Sequence, residues 1–273
     1  MRPFLSLALA LLAGPMAAPA MAEDSALVGM LTADDVKGWQ SVGKLMMGRR
    51  GFCTGVLIGP QMVLTAAHCL YDKETGARTP DDQISFQAGW RNGRAEAYRG
   101  VRRSVPHPDY IYTGEDEMER VAYDLALLEL DQPILLPQLP PFATDARPGA
   151  GTVVSVVSYA MDRAEVPSIQ QGCSVIASTR PALILSCDID FGSSGAPVFS
   201  VTDGVPRVVS VISAKAELEG QKVALAVPLE APLKVLEAEM AREEPGHKAK
   251  AGVKVIKGGL SGGAKFVSPP EEP

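Results

Sequence analysis

The chain reads as an all-β protein closed by one helix, in a barrel or sandwich arrangement. Short apolar runs rich in Val, Ile and Leu recur from Val42 onward, among them 54–58, 62–65, 125–130, 152–157, 183–185 and 208–212. Each has strand length and is bounded by Gly, Pro, Asp or Asn. Helical spacing appears only near the end, where Leu229, Leu233, Leu236 and Met240 fall on one face. Between the halves, residues 131–150 hold five prolines in twenty residues with little charge. Proline donates no ladder hydrogen bond, so this stretch is a connector between two β units.

The flanks differ from this body. Residues 1–22 have the form of a secretory signal peptide: Arg2, an apolar run from Phe4 to Ala13, and a small-residue cleavage site at Ala20-Met21-Ala22. That run is too short to span a membrane, and no later stretch is long enough, so no membrane span is expected in the mature chain. Residues 23–40 form an N-terminal segment and a candidate pro-segment, and 41–240 the folded body. Residues 241–273 mix Gly, Lys, Pro and Glu with few large apolar residues, a composition that cannot offset ordering entropy, so disorder is expected there. Within them 253–256 could add one strand.

The chain carries 26 Lys and Arg against 32 Asp and Glu, and its acidic body excludes the basic face that nucleic-acid binding requires. The four cysteines, in a chain marked for export, suggest two disulfides. Their spacings favour Cys53–Cys69 and Cys173–Cys187, although sequence alone permits three pairings. With only three histidines and no Cys-x-x-Cys, a metal site is discounted. A secreted or periplasmic location follows.

Three stretches carry chemistry. In Phe191-Gly192-Ser193-Ser194-Gly195-Ala196-Pro197, a serine stands between small residues that let the backbone approach a reacting carbonyl and tolerate the bend that lifts the hydroxyl out. Alone, such a segment is usually only a turn. In 62–69 an apolar strand runs into Thr65-Ala66-Ala67-His68-Cys69, where a disulfide would fix the backbone beside an imidazole, as a general base needs. A solitary histidine there is more often a satisfied core residue. Asp124 stands at the mouth of the apolar strand 125–130, and a carboxylate buried there needs a partner such as an imidazole N–H.

Together, Thr-Ala-Ala-His-Cys, Asp-Leu-Ala-Leu-Leu and Gly-Ser-Ser-Gly-Ala-Pro resemble the three active-site blocks of trypsin/chymotrypsin-like serine peptidases, over about residues 40–238. Cys53 precedes Cys69 by sixteen residues, as that family's histidine-loop disulfide requires. Pro106-His107-Pro108-Asp109-Tyr110 resembles a loop of the same family, which makes His107 structural. The resemblance implies two antiparallel six-stranded β-barrels, at about 41–131 and 146–240, with the catalytic cleft between them and a C-terminal helix. It implies Ser194 as nucleophile, His68 as base and acid, Asp124 as orienting carboxylate, and the N–H groups of Gly192 and Ser194 as oxyanion hole. Ser213 matches the strand that pairs with substrate.

Some residues depart from the pattern. Ser193 replaces the aspartate that animal digestive members use to receive a new N-terminus, and no Ile-Val-Gly-Gly-like start occurs. The pattern resembles bacterial exported members, glutamyl-endopeptidase-like ones included. Asp188, six residues before Ser194, stands where trypsin-like members place the acidic base of a pocket for Arg or Lys, which implies a basic P1 side chain unless Cys187-Asp188 is only a structural turn. Lys215, where those members have glycine on the pocket wall, would obstruct the pocket or neutralise its acid, and Asp190 has no evident role. The expected function is that of an exported, monomeric serine endopeptidase acting on protein or peptide substrates without a cofactor. The alternative is a catalytically silent homologue serving as a binding or regulatory protein. A chaperone-protease of the high-temperature-requirement type is disfavoured, because 241–273 is too short and polar for a PDZ domain.

Overall fold

A computed structural model describes residues 26–48, 51–112, 117–179 and 181–242 of the chain, without the side chains of 117–119. The signal peptide and the tail from 243 onward, including the candidate strand at 253–256, lie outside the described residues.

After a short β1 (Val28–Gly29), six antiparallel strands close a first barrel: β2 (Val42–Met47), β3 (Phe52–Gly59), β4 (Met62–Thr65), β5 (Ile84–Ala88), β6 (Ala97–Pro106) and, after the helix α1 (Glu117–Ala122), β7 (Ala126–Leu130). The order around this barrel is β2-β3-β4-β7-β6-β5. Alternation drives the closure in β5, where Ile84, Phe86 and Ala88 point in and Ser85 and Gln87 lie at the surface. The second barrel holds β8 (Val153–Ser158), β9 (Ser168–Ser178), β10 (Leu183–Leu185), β11 (Pro197–Thr202), β12 (Val205–Leu218) and β13 (Gln221–Pro228). It runs β9-β10-β13-β12-β11-β8 and closes where β8 pairs with β9, while β1 adds to the rim of β9. The helix α2 (Glu230–Ala241) follows, as the spacing of its leucines predicts. The short α1 was not foreseen. Both disulfides form with the favoured pairing, Cys53–Cys69 and Cys173–Cys187.

The connector 131–150 contains no named strand, and among the described residues one bridge joins it, Thr144 to Val208. It is laced to the first barrel by backbone bonds from Ile134 to Pro60 (2.7 Å) and from Phe142 to Leu57 (2.9 Å). Phe142 also enters an aromatic cluster with Phe199 of β11 and Trp39, with ring centroids 4.7–6.0 Å apart. Three separate parts of the chain thus meet between the barrels. The helix α2 leaves the second barrel and packs on β6 and β7 of the first, with Leu233 and Leu236 buried. Arg103 of β6 donates to the carbonyls of Glu239 and Met240 and so satisfies the open end of this helix.

Residues 26–40, marked by the sequence as part of a candidate pro-segment, are built into this body. Met30 is 2% and Val36 8% exposed, and Trp39 sits in the inter-barrel cluster. Removal of the segment would open the core, because its apolar side chains are part of it. Trp39→Ala should cost about 3 kcal/mol of stability in denaturant unfolding; a change near zero would show the cluster to be incidental.

Candidate active site

Strand β4 delivers His68 onto a tight turn, Ala67–Leu70, and Cys69 ties that turn to β3 through its disulfide. Asp124 emerges from the end of α1 with its N–H donating to the Val121 carbonyl, and the residue is 2% exposed. A carboxylate so deeply buried requires donors. Its Oδ1 accepts the backbone N–H of His68 at 2.7 Å, and its Oδ2 accepts His68 Nδ1–H at 2.6 Å. The Ser213 hydroxyl also donates to Oδ2. Ser213 is the extra residue where the β12–β13 register shifts between Ile212 and Ala214, and this bulge turns its side chain toward Asp124. Because an ionised carboxylate accepts and does not donate, the proton in this contact is carried by Nδ1, while Nε2 lies 3.9 Å from the Cys69 sulfur.

The turn carrying Ser194 is held by one residue of the first barrel, through both its backbone and its side chain. Thr54, fully buried, donates its backbone N–H to the Ser194 carbonyl (2.8 Å) and its hydroxyl to the Gly192 carbonyl (2.9 Å). The same hydroxyl accepts the Tyr159 N–H at 3.0 Å. Gly195 lies at φ +78°, and a Cβ there would fall 2.1 Å from Thr65 Oγ1 and 2.3 Å from the Thr54 carbonyl, so only glycine fits. The Phe191 carbonyl accepts Met161 N–H at 2.8 Å, which turns the N–H of Gly192 the opposite way across their trans peptide. Among the described residues, neither the Gly192 nor the Ser194 N–H has a protein acceptor. Ser193 is buried, within reach of the Ser158 hydroxyl (3.3 Å) and the Asp190 N–H (3.4 Å). A neutral local network fills this place, where a carboxylate would need a buried cation.

His68, Asp124, Ser194 and Ser213 line one cleft of about 480 Å³. No hydrogen bond joins the Ser194 hydroxyl to His68 among the described residues. Lys215 and Asp190 line the cleft beyond Ser194 as an ion pair (2.9 Å), and the ammonium also lies 4.2 Å from the Phe191 ring centroid. The hydrogen bond from Lys215 holds the Asp190 carboxyl below the usual carboxylate range, with the Phe191 N–H contributing. Asp188 is exposed, its N–H donating to Gln170 Oε1, and it is not part of the cleft wall. Among the cleft-lining residues the carboxylate beyond Ser194 is Asp190, paired with Lys215.

His107 stacks on Tyr123 (5.0 Å between centroids), and burial holds its imidazole below the ordinary histidine range, consistent with a structural part. Cys53, His68 and Cys69 bring ligand-type atoms within 4.8 Å of one another, but the two sulfurs are bonded together and offer no thiolate to a metal. Thr54 is the site residue that sequence reading passed over, since a threonine in a strand gives no chemical signal. Thr54→Val keeps the shape but strands the Gly192 carbonyl and the Tyr159 N–H. It should cost about 2 kcal/mol in unfolding, and about tenfold in the labelling rate by a serine-directed fluorophosphonate, through loss of turn geometry.

The family of the trypsin-like peptidase domain matches residues 53–209. Among curated proteins, the chain is 29% identical over 150 residues to a glutamyl endopeptidase of Bacillus licheniformis, covering 55% of this chain and 45% of that protein. It is 35% identical over 108 residues to human kallikrein-8, covering 40% of this chain and 37% of the relative. The chain thus spans less than half the length of these relatives. A solved structure of a Glu endopeptidase in complex with MPD superposes with a TM-score of 0.65 at 19% identity, covering 82% of this chain and all of that one. A thermostable serine protease, AL20, from an extremophilic microorganism gives 0.59 at 17% identity, covering 74% and 98%. At such identities the likeness is one of fold, but the family match extends over more than half of the chain: this protein belongs to the trypsin-like peptidase domain family.

Proposed function

We propose that this chain is an exported serine endopeptidase that cleaves peptide bonds by acyl transfer. The observation that carries this reading is the His68–Asp124–Ser213 network opening onto the cleft that Ser194 lines, beside two N–H groups without acceptors among the described residues. A peptide carbonyl in that cleft is attacked by Ser194 Oγ, whose proton passes to His68 Nε2 as a new C–O bond forms. Asp124 stabilises the imidazolium, and the negative oxygen of the tetrahedral intermediate collects the N–H groups of Gly192 and Ser194. The C–N bond then breaks as His68 returns the proton to the leaving amine, leaving an acyl ester on Ser194. Water, deprotonated by the same imidazole, hydrolyses that ester and regenerates the serine. The Ser194–His68 hydrogen bond forms when substrate fills the cleft, since catalytic hydrogen bonds are often long in free enzymes.

Two disulfides in the folded body support an oxidising compartment outside the cytoplasm. No helix among the described residues is long and apolar enough to cross a membrane.

The fluorophosphonate probe tests the reading directly. The wild type should be labelled, Ser194→Ala should not, and His68→Ala should react at least about a thousandfold more slowly. A folded wild type that resists labelling would instead favour a silent binding protein. Lys215→Ala should release Asp190 from its ion pair and raise cleavage after Lys and Arg relative to other residues in a peptide-library profile. An unchanged profile would remove Asp190 from the P1 pocket.

A further inference from the structure

Lys44 of β2 is 7% exposed, yet among the described residues it has no carboxylate within ion-pair distance. Its ammonium donates to the Ala164 carbonyl at 3.3 Å and stands 4.3 Å from the centroid of the Phe52 ring and 5.2 Å from that of Trp90. A carbonyl and two aromatic faces are thin compensation for a desolvated charge. An apolar residue of similar length would fill the same space without that cost. Lys44 does not line the cleft either, so direct contact with substrate does not account for it.

Its surroundings lead to the oxyanion turn. Lys44 is paired directly across the ladder with Thr54, so the two side chains share one face of the sheet, and Phe52, two residues along β3, shares it as well. Thr54 holds the Gly192 carbonyl. The Phe52 ring lies against Gly192 so closely that a Cβ there would fall 2.6 Å from Cε2 and 2.9 Å from Cζ. The ring that Lys44 grips is thus the ring that supports the Gly192 peptide.

We infer that Lys44 is a positioning residue for the oxyanion turn, acting through Phe52 to hold the Gly192 N–H in place and adding a fixed positive field behind the developing negative charge. The inference rests on the peptidase reading given above. A field of this kind acts through protein of low effective dielectric and needs no reorganisation during reaction. Glu165 is the charged side chain whose field reaches Lys44, whereas its ladder partners Thr54 and Gln87 and the flanking rings of Phe52 and Trp90 are uncharged.

Burial holds the Lys44 ammonium below its ordinary value of 10.5, with Glu165 opposing. The folded protein therefore releases this proton at a lower pH than the unfolded chain. Across that interval stability rises with pH while the positive field disappears.

Lys44→Met preserves length and packing over the ring without the charge. In the full chain, kcat and the fluorophosphonate labelling rate should fall about tenfold, with KM changed less than twofold and the thermal midpoint equal to or above that of wild type. Wild-type kcat should decline as pH rises toward 10.5, and this decline should vanish in Lys44→Met and in Lys44→Gln. Unchanged kcat in both variants overturns the inference. So does a joint fall of kcat and thermal midpoint with the alkaline decline intact, which would mark Lys44 as packing alone. Failure of wild type itself to be labelled would sink the peptidase reading, a different outcome.

Discussion

A negative charge on Asp124, almost wholly withdrawn from water, sets the terms for everything around it. An unpaired carboxylate at that depth would destabilise the fold by several kcal/mol, so donors must arrive with good geometry. They come from two remote parts of the chain: a backbone N–H and an imidazole from the first barrel, and a hydroxyl from a bulge in the second. Satisfying the charge brings the two barrels into one arrangement and fixes which imidazole nitrogen faces the cleft. The requirement for a stable fold and the orientation that the proposed base needs coincide in one buried group.

The second fixed point is Thr54, whose contacts run in the opposite sense. Asp124 gathers the second barrel toward the first through Ser213, while Thr54 reaches out from the first barrel to hold the turn on which Ser194 stands. Gly195 allows the approach, because its missing side chain is replaced by Thr65 and the Thr54 carbonyl. The cleft is therefore bounded by two clasps, one on the carboxylate and one on the serine turn. Its walls are rigid where chemistry is proposed and more exposed at Lys215 and Asp190, each about half exposed, where a substrate side chain would be met.

Much of this was legible in the residues alone. His68, Asp124 and Ser194 stand out as candidates only in combination, since each setting alone is more often structural and it is the three blocks in this order that point to one site. Strands that are apolar on both faces, such as β4 and β7, were also visible, and the leucines of α2 gave its helix directly. The strands β6 and β9 escaped because their polar outer residues dilute the pattern, and α1 because one and a half turns leave no periodicity to detect. Asp188 is a different case. Counting back from the serine fixes distance along the chain but not which way each side chain points, and in this turn Asp190, not Asp188, lines the cleft. Lys44 and Thr54 were silent because a lysine or threonine in a strand is ordinarily a solvent-facing residue, and only the packing of a second barrel against them makes them otherwise.

The grip of Arg103 on the last turn of α2 bears on how such a molecule is made. His68 and Asp124 belong to the first half of the chain and Ser194 to the second, and the helix that straps the halves together is the last element among the described residues. A nascent chain emerging in order thus carries an imidazole with nothing to activate, then a serine turn without its strap. Only when residue 241 has been delivered can α2 close over β6 and β7, so the packing that ties the two halves together is completed last among the described residues.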